Sequence, residues 1–268
     1  MRHRIAQDAK PQLYLILLAS VITLLLWWLV PFGEYVVYPI RLFVTFIHES
    51  SHALVAVVTG GSVQSLTIST DGSGVVYSAP SGMLGALLTS SAGYLGTTAF
   101  GVLLLFFIRR NFSPNKILTA LGIFVAAMTL IFTVISPVFN FLSLQASFSS
   151  VLFTIIAGGL LAAALVGLGI YSSVKTANFA IVFLAVQCLL NALLDLKTVF
   201  FINAPLVGAD IQTDAGNMAA ATGIPGIIWV VIWIGISFLM ISLGLRLYAV
   251  NKNKAAASDS VFESDPAA

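Results

Sequence analysis

The feature that most constrains this chain is a recurrence. Apolar runs of about twenty residues, each long enough to cross a bilayer as a helix, follow one another from end to end. They fall at about 13–30, 37–58, 84–108, 116–136, 151–171, 178–201 and 226–249. Turn-like breaks separate them: Pro31 with Gly33, Thr59-Gly60-Gly61, Arg109-Arg110-Asn111 and Ser172-Ser173. Water cannot solvate such a chain, because only 8% of its 268 residues are charged, against about 25% in soluble domains. The expected fold is an all-α polytopic membrane protein of about seven transmembrane helices, six to eight in all. The spread comes from residues 137–150, which read either as a surface loop or as part of a further short span. Twelve basic against ten acidic residues is too even a balance for a nucleic-acid surface. A single cysteine, Cys188, excludes a disulfide framework and a thiolate zinc cluster.

Arg2, Arg4 and Lys10 precede the first run as in a secretory signal. The run exceeds the usual ~7–15 residues and no small-x-small cleavage site follows, so it is expected to remain as the first span. Residues 1–250 then form a single membrane domain, and the polar tail 251–268 is expected to be disordered. One piece breaks the helical pattern. In residues 62–78, Leu66 and Ile68 alternate with polar neighbours and Asp71-Gly72 marks a turn before Val75-Val76-Tyr77. This predicts a β-hairpin, serving either as a surface link between spans or as an edge to which an extended peptide adds.

A charge at the bilayer centre costs roughly 2.5–3.5 kcal/mol, so ionisable residues inside spans carry the most information. Of three histidines, His3 lies in the polar N-terminus, whereas His48 and His52 flank Glu49 and two serines as His-Glu-Ser-Ser-His. On a helix, residues four apart share one face about 6 Å apart, so both imidazoles can converge on one zinc ion. Glu49, turned by about 100°, reaches a metal-bound water as general base without being a ligand. Zinc needs a third protein ligand, and a carboxylate must supply it. Glu34, Asp195, Asp210 and Asp214 lie in or near the bundle, and Asp71 sits in the hairpin turn. Asp195 is the first choice, because its depth in the sixth span matches that of His52 in the second, roughly 10 Å from the span end at 1.5 Å per residue. Asp214, in Thr213-Asp214-Ala215-Gly216-Asn217, is the runner-up and also reads as a helix start. Asn191, one turn before Asp195, is placed to orient that carboxylate or hold a substrate carbonyl. Arg41, two turns before His48, reads as a snorkelling or paired cation. The glycines of the third span (Gly82, Gly85, Gly93, Gly96, Gly101) read as close helix packing.

These residues resemble the site-2 protease type of intramembrane zinc metallopeptidases, in particular compact bacterial members of the peptidase M50B kind. The resemblance rests on Phe46-Ile47-His48-Glu49-Ser50-Ser51-His52-Ala53-Leu54 and runs through Thr59-Gly60-Gly61 into the hairpin. It takes in Ala92-Gly93, the Asn191–Asp195 string, Asp214-Ala215 and Thr222-Gly223-Ile224-Pro225, loosely residues 36–235. It departs where Leu194-Asp195 is followed by Leu196 rather than glycine, and where Tyr94 rather than proline follows Gly93. It implies a zinc endopeptidase of a bacterial inner membrane, hydrolysing membrane-embedded protein or peptide substrates with Glu49 as base. Two other classes fit part of the pattern. One is a zinc-binding membrane protein without proteolytic activity; against it, a purely structural site has no use for Glu49. The other is an ion- or metal-coupled transporter; against it, no repeated halves or paired broken helices are visible.

Overall fold

Six helices are long and apolar enough to cross a membrane among the residues that the computed structural model describes, namely 10–28, 33–140, 145–203 and 213–249. They begin and end within a few residues of six of the seven runs read from the sequence. The first run forms α1 (Lys10–Trp28), whose described apolar part is the shorter Tyr14–Thr23. The others are α2 (Gly33–Val58), α3 (Gly82–Arg109), α4 (Pro114–Met128), α6 (Phe148–Tyr171), α7 (Val174–Asn203) and α9 (Gly226–Ala249). The fourth span is α4 extended through a π-helical stretch, Thr129–Ile135, into the four-residue α5 (Ser136–Phe139). Residues 137–139 therefore lengthen that span. Residues 141–144, the tail 251–268, His3, Asp210 and the Glu34 side chain lie outside what is described. The chain is thus an integral membrane protein, whose described residues form a mostly helical bundle with one two-stranded sheet.

The bundle is built round α3, which packs against α2, α7, the short α8 (Asp214–Thr222) and α9. Its buried core includes Phe43, Phe46, Leu104, Leu118 and Ile181. Between lipid-embedded helices there is no water to expel, so close backbone approach does the work of hydrophobic association. Gly101 lies against Leu189 and the Ala185 carbonyl on α7, and Gly122 of α4 against the Ala162 carbonyl of α6. The Gln187 amide nitrogen donates to Thr23 Oγ1, tying α1 to α7, and the Asn191 amide donates to the Gln187 carbonyl at 2.9 Å.

The hairpin is the element whose position the sequence did not reveal. β1 (Ser62–Ile68) and β2 (Gly74–Ala79) pair antiparallel, Leu66 opposite Val76 and Ile68 opposite Gly74. It is no surface link. It turns back from the end of α2 and lies along that helix. Tyr38 donates to the Thr70 carbonyl at 2.6 Å and Thr45 to the Gly72 carbonyl at 2.9 Å. The Arg41 side chain packs on Gly72, whose φ of 83° a glycine adopts without strain. Residues 38, 41, 45 and 49 are spaced three or four apart, so one stripe of α2 receives the whole hairpin. Seven strand residues span about 23 Å, so the turn reaches back along α2 to Tyr38.

A strand inside a bilayer must satisfy both of its edges. The outer edge of β1 is closed by hydroxyls. Thr133 donates to the Leu66 carbonyl at 2.7 Å. Thr154 accepts from the Ile68 amide at 2.6 Å, with its hydroxyl 3.1 Å from the Ile68 carbonyl. Thr133 lies in the π-helical stretch and Thr154 on α6, so two spans plug one strand. The outer edge of β2 has no such plug among the described residues. Since Leu66 and Ile68 point their backbone groups outward, their partners Val76 and Gly74 do too. Those groups open toward the site described next.

Candidate metal centre

His48 and His52 lie on α2 one turn apart, and their Nε2 atoms are 3.1 Å from each other. Asp214 completes the group: its Oδ2 is 3.6 Å from His48 Nε2 and 3.3 Å from His52 Nε2. Among the described residues these three form the cluster able to hold a metal ion. Tetrahedral ligands about 2.0–2.1 Å from zinc stand roughly 3.3 Å apart, so the observed separations fit that ion. His52 Nδ1 lies 2.6 Å from the Thr89 carbonyl, which can only accept. The proton therefore sits on Nδ1 of the neutral ring, and the lone pair on Nε2 faces the cluster. Gly93 provides the space. A Cβ built there would lie 2.5 Å from His48 Cε1 and nearer still to both Nε2 atoms, so only glycine fits.

Asp214 is delivered by α8 (Asp214–Thr222), a nine-residue helix that the apolar pattern did not reveal. Thr213 caps it, its hydroxyl accepting from the Gly216 amide at 3.0 Å. Asn203, at the end of α7, donates to the same hydroxyl at 3.3 Å and so fixes the turn that aims Asp214. Behind it, Gly226 admits the Ala215 carbonyl, which a Cβ would meet at 2.8 Å.

Two cavities meet at this cluster. The larger, about 610 Å³, holds His48, Glu49, His52 and Asp214 beneath β2. The smaller, about 280 Å³, is lined by Arg41, Asn191, Asp195 and Thr198. His48, Glu49, Gly74 and Tyr94 line both. Glu49 is buried, and Gly74 lies so close that a Cβ would meet its Cγ at 2.5 Å and Oε1 at 2.6 Å. Asp195 lines the smaller cavity together with His48 and Glu49, but lies outside the three-residue cluster. The geometry places the runner-up, Asp214, where Asp195 was expected. Asp195, on α7, faces Arg41 and Asn191 across the smaller cavity, whereas Asp214 is carried into the larger one by α8, which packs on α3 and α9. Asn191 lines the smaller cavity with Asp195, its amide nitrogen committed to Gln187.

Sequence reasoning missed the roles of Gly93, Gly74 and Thr89. Gly93 was legible only as a packing glycine, and Thr89 acts through a carbonyl that every residue has. Membrane-length helices that surround two imidazoles, a carboxylate and a neighbouring glutamate define a membrane-embedded protein with a candidate metal centre. The chain belongs to the Peptidase M50B-like family, whose model matches residues 16–244. No curated protein and no solved structure matches it.

Proposed function

We propose that this protein is a zinc-dependent intramembrane endopeptidase. The carrying observation is the approach of His48, His52 and Asp214 to within 3.1–3.6 Å, beside Glu49 and in a cavity roofed by an open strand edge. His48, His52 and Asp214 hold the metal, and Glu49 is the catalytic base. Residues 1–250 act as one domain, embedded in a bacterial inner membrane, on membrane-embedded protein or peptide substrates. A zinc ion held by the His48 and His52 imidazoles and the Asp214 carboxylate would supply Lewis-acid chemistry, polarising the scissile carbonyl and acidifying the attacking water. Glu49 takes a proton from the attacking water and passes it to the departing amine as the peptide C–N bond breaks. A substrate helix must first unwind, because its carbonyls are engaged in helix bonds. The outward N–H and C=O groups of Gly74 and Val76 give the unwound segment a strand to pair with, directly over Glu49. The hydroxyl plugs on β1 support this reading, since they leave β2 as the edge on which a strand can add.

Glu49→Gln keeps the shape and removes the base. Cleavage of a transmembrane peptide in detergent is expected to vanish while zinc content stays at the wild-type level. Cleavage at the wild-type rate by this variant would sink the mechanism.

A further inference from the structure

Tyr94 sits at the junction of the two cavities with a hydroxyl that bonds to nothing among the described residues. A buried tyrosine ordinarily finds a partner for its O–H, because an unpaired buried donor is costly. Tyr94 is 7% exposed. Sealed, unpartnered side-chain atoms occur at Ser50, Gln64, Ser65 and Thr89, but the Tyr94 hydroxyl is not sealed, so it opens into the cavity space.

The ring is held on two sides. Its edge meets His48, with centroids 4.8 Å apart and planes at 80°. Its face leans on Trp233 of α9 at 5.4 Å, and Trp233 is itself fixed by donating to Ser91 Oγ at 3.0 Å. Tyr94 also follows Gly93, the residue that makes room for both imidazoles. A rigid phenol is therefore fixed beside a metal-binding imidazole and next to the base, with its donor unspent.

We infer that the Tyr94 hydroxyl is a catalytic hydrogen-bond donor to the carbonyl oxygen of the scissile peptide. This inference rests on the endopeptidase reading. As water adds, that oxygen gains negative charge, and a preorganised donor in a water-poor site stabilises the charge more than it stabilises the neutral carbonyl. The phenol keeps its proton throughout. Its contribution therefore belongs to kcat rather than to substrate binding. The nearby carboxylates of Glu49, Asp195 and Asp214 only accept when ionised; of the donors lining these cavities, which include Arg41, Asn191 and Asn217, Tyr94 is distinguished by lining both and by its ring contact with His48.

The test is Tyr94→Phe, which deletes the hydroxyl and leaves the ring against His48 and Trp233. Zinc content and thermal midpoint are measured first and are expected to match wild type. Removing one such donor costs about 10²–10³-fold in kcat, with KM expected to change by no more than about threefold. A second readout uses binding alone. A phosphinic peptide, whose charged tetrahedral oxygens resemble the transition state, should bind Tyr94→Phe more weakly by a similar factor. An uncleaved substrate peptide should bind Glu49→Gln and Glu49→Gln/Tyr94→Phe equally well. A Tyr94→Phe enzyme within about threefold of the wild-type kcat, or one that loses phosphinic and substrate affinity equally, would overturn the assignment. Wild-type protein without metal-dependent cleavage would overturn the endopeptidase reading beneath it, and that arm needs no Tyr94 variant.

Discussion

Gly93→Ala is the sharpest perturbation the site offers. The added Cβ would lie 2.5 Å from His48 Cε1 and closer to both Nε2 atoms, whereas real Cβ atoms essentially never come under 3.0 Å. The imidazoles must therefore retreat by more than half an ångström. A metal site tolerates about 0.2 Å in its ligand distances. Neither ring can retreat along its own path. His52 is tied to the Thr89 carbonyl at 2.6 Å, and His48 is backed by Tyr94 at 4.8 Å between centroids. Lesser changes, to groups that merely orient ligands, cost about 10–100-fold in metal affinity. Gly93→Ala is thus expected to weaken zinc binding by at least roughly 100-fold, measured by competition with a chromogenic chelator in detergent. Overpacking typically costs about 1–3 kcal/mol of stability, so a thermal melt accompanies the titration. Gly235→Ala is the control: nothing lies within 4 Å of its Cβ position, and zinc affinity should not change. A Gly93→Ala protein that binds zinc as tightly as wild type would refute the packing argument.

Three further outcomes follow from the hairpin. Thr154→Val removes the acceptor of the Ile68 amide and leaves that N–H unpaired in the bundle, at about 1–3 kcal/mol, whereas Thr133→Val strips only a carbonyl, which tolerates under-satisfaction better, so the melting temperature should fall further for Thr154→Val. Val76→Pro deletes an outward N–H without touching the ladder to β1, and cleavage should fall while zinc content holds. Asp71 accepts from the Ser73 hydroxyl at 2.6 Å and amide at 2.9 Å, which hold its carboxyl below the ordinary aspartate range. Its contribution to turn stability is therefore full above the ordinary value of about 3.9 and lost as pH falls through the lower folded value. Hydrogen exchange of the turn amides should show that acid-side loss in wild type and not in Asp71→Asn.

The spans were legible because lipid sets one criterion, length of apolar run, that needs no tertiary knowledge. The pairing of His48 with His52 was legible because they sit one turn apart on a single helix, where sequence spacing is spatial spacing. Asp214 was harder. Its nine-residue helix has little apolar signal, and only the Thr213 cap marked it. Asp195 looked better because depth along a span can be counted, while the side of α2 that α7 faces cannot. The hairpin showed the same limit. Alternation at Leu66 and Ile68 and the Asp71-Gly72 turn predicted two strands, but not that Tyr38, Arg41 and Thr45 would draw them along α2. Gly93 was visible as a small residue among others, and its neighbours across the bundle alone explain why it must be one.

The most direct measurement is zinc stoichiometry in purified, detergent-solubilised protein, with wild type beside Asp214→Ala and Asp195→Ala. About one zinc per chain in wild type and Asp195→Ala, and loss in Asp214→Ala, is the expected result. A well-folded wild type that takes up no zinc on reconstitution, or a site lost with Asp195 and kept without Asp214, would contradict the account.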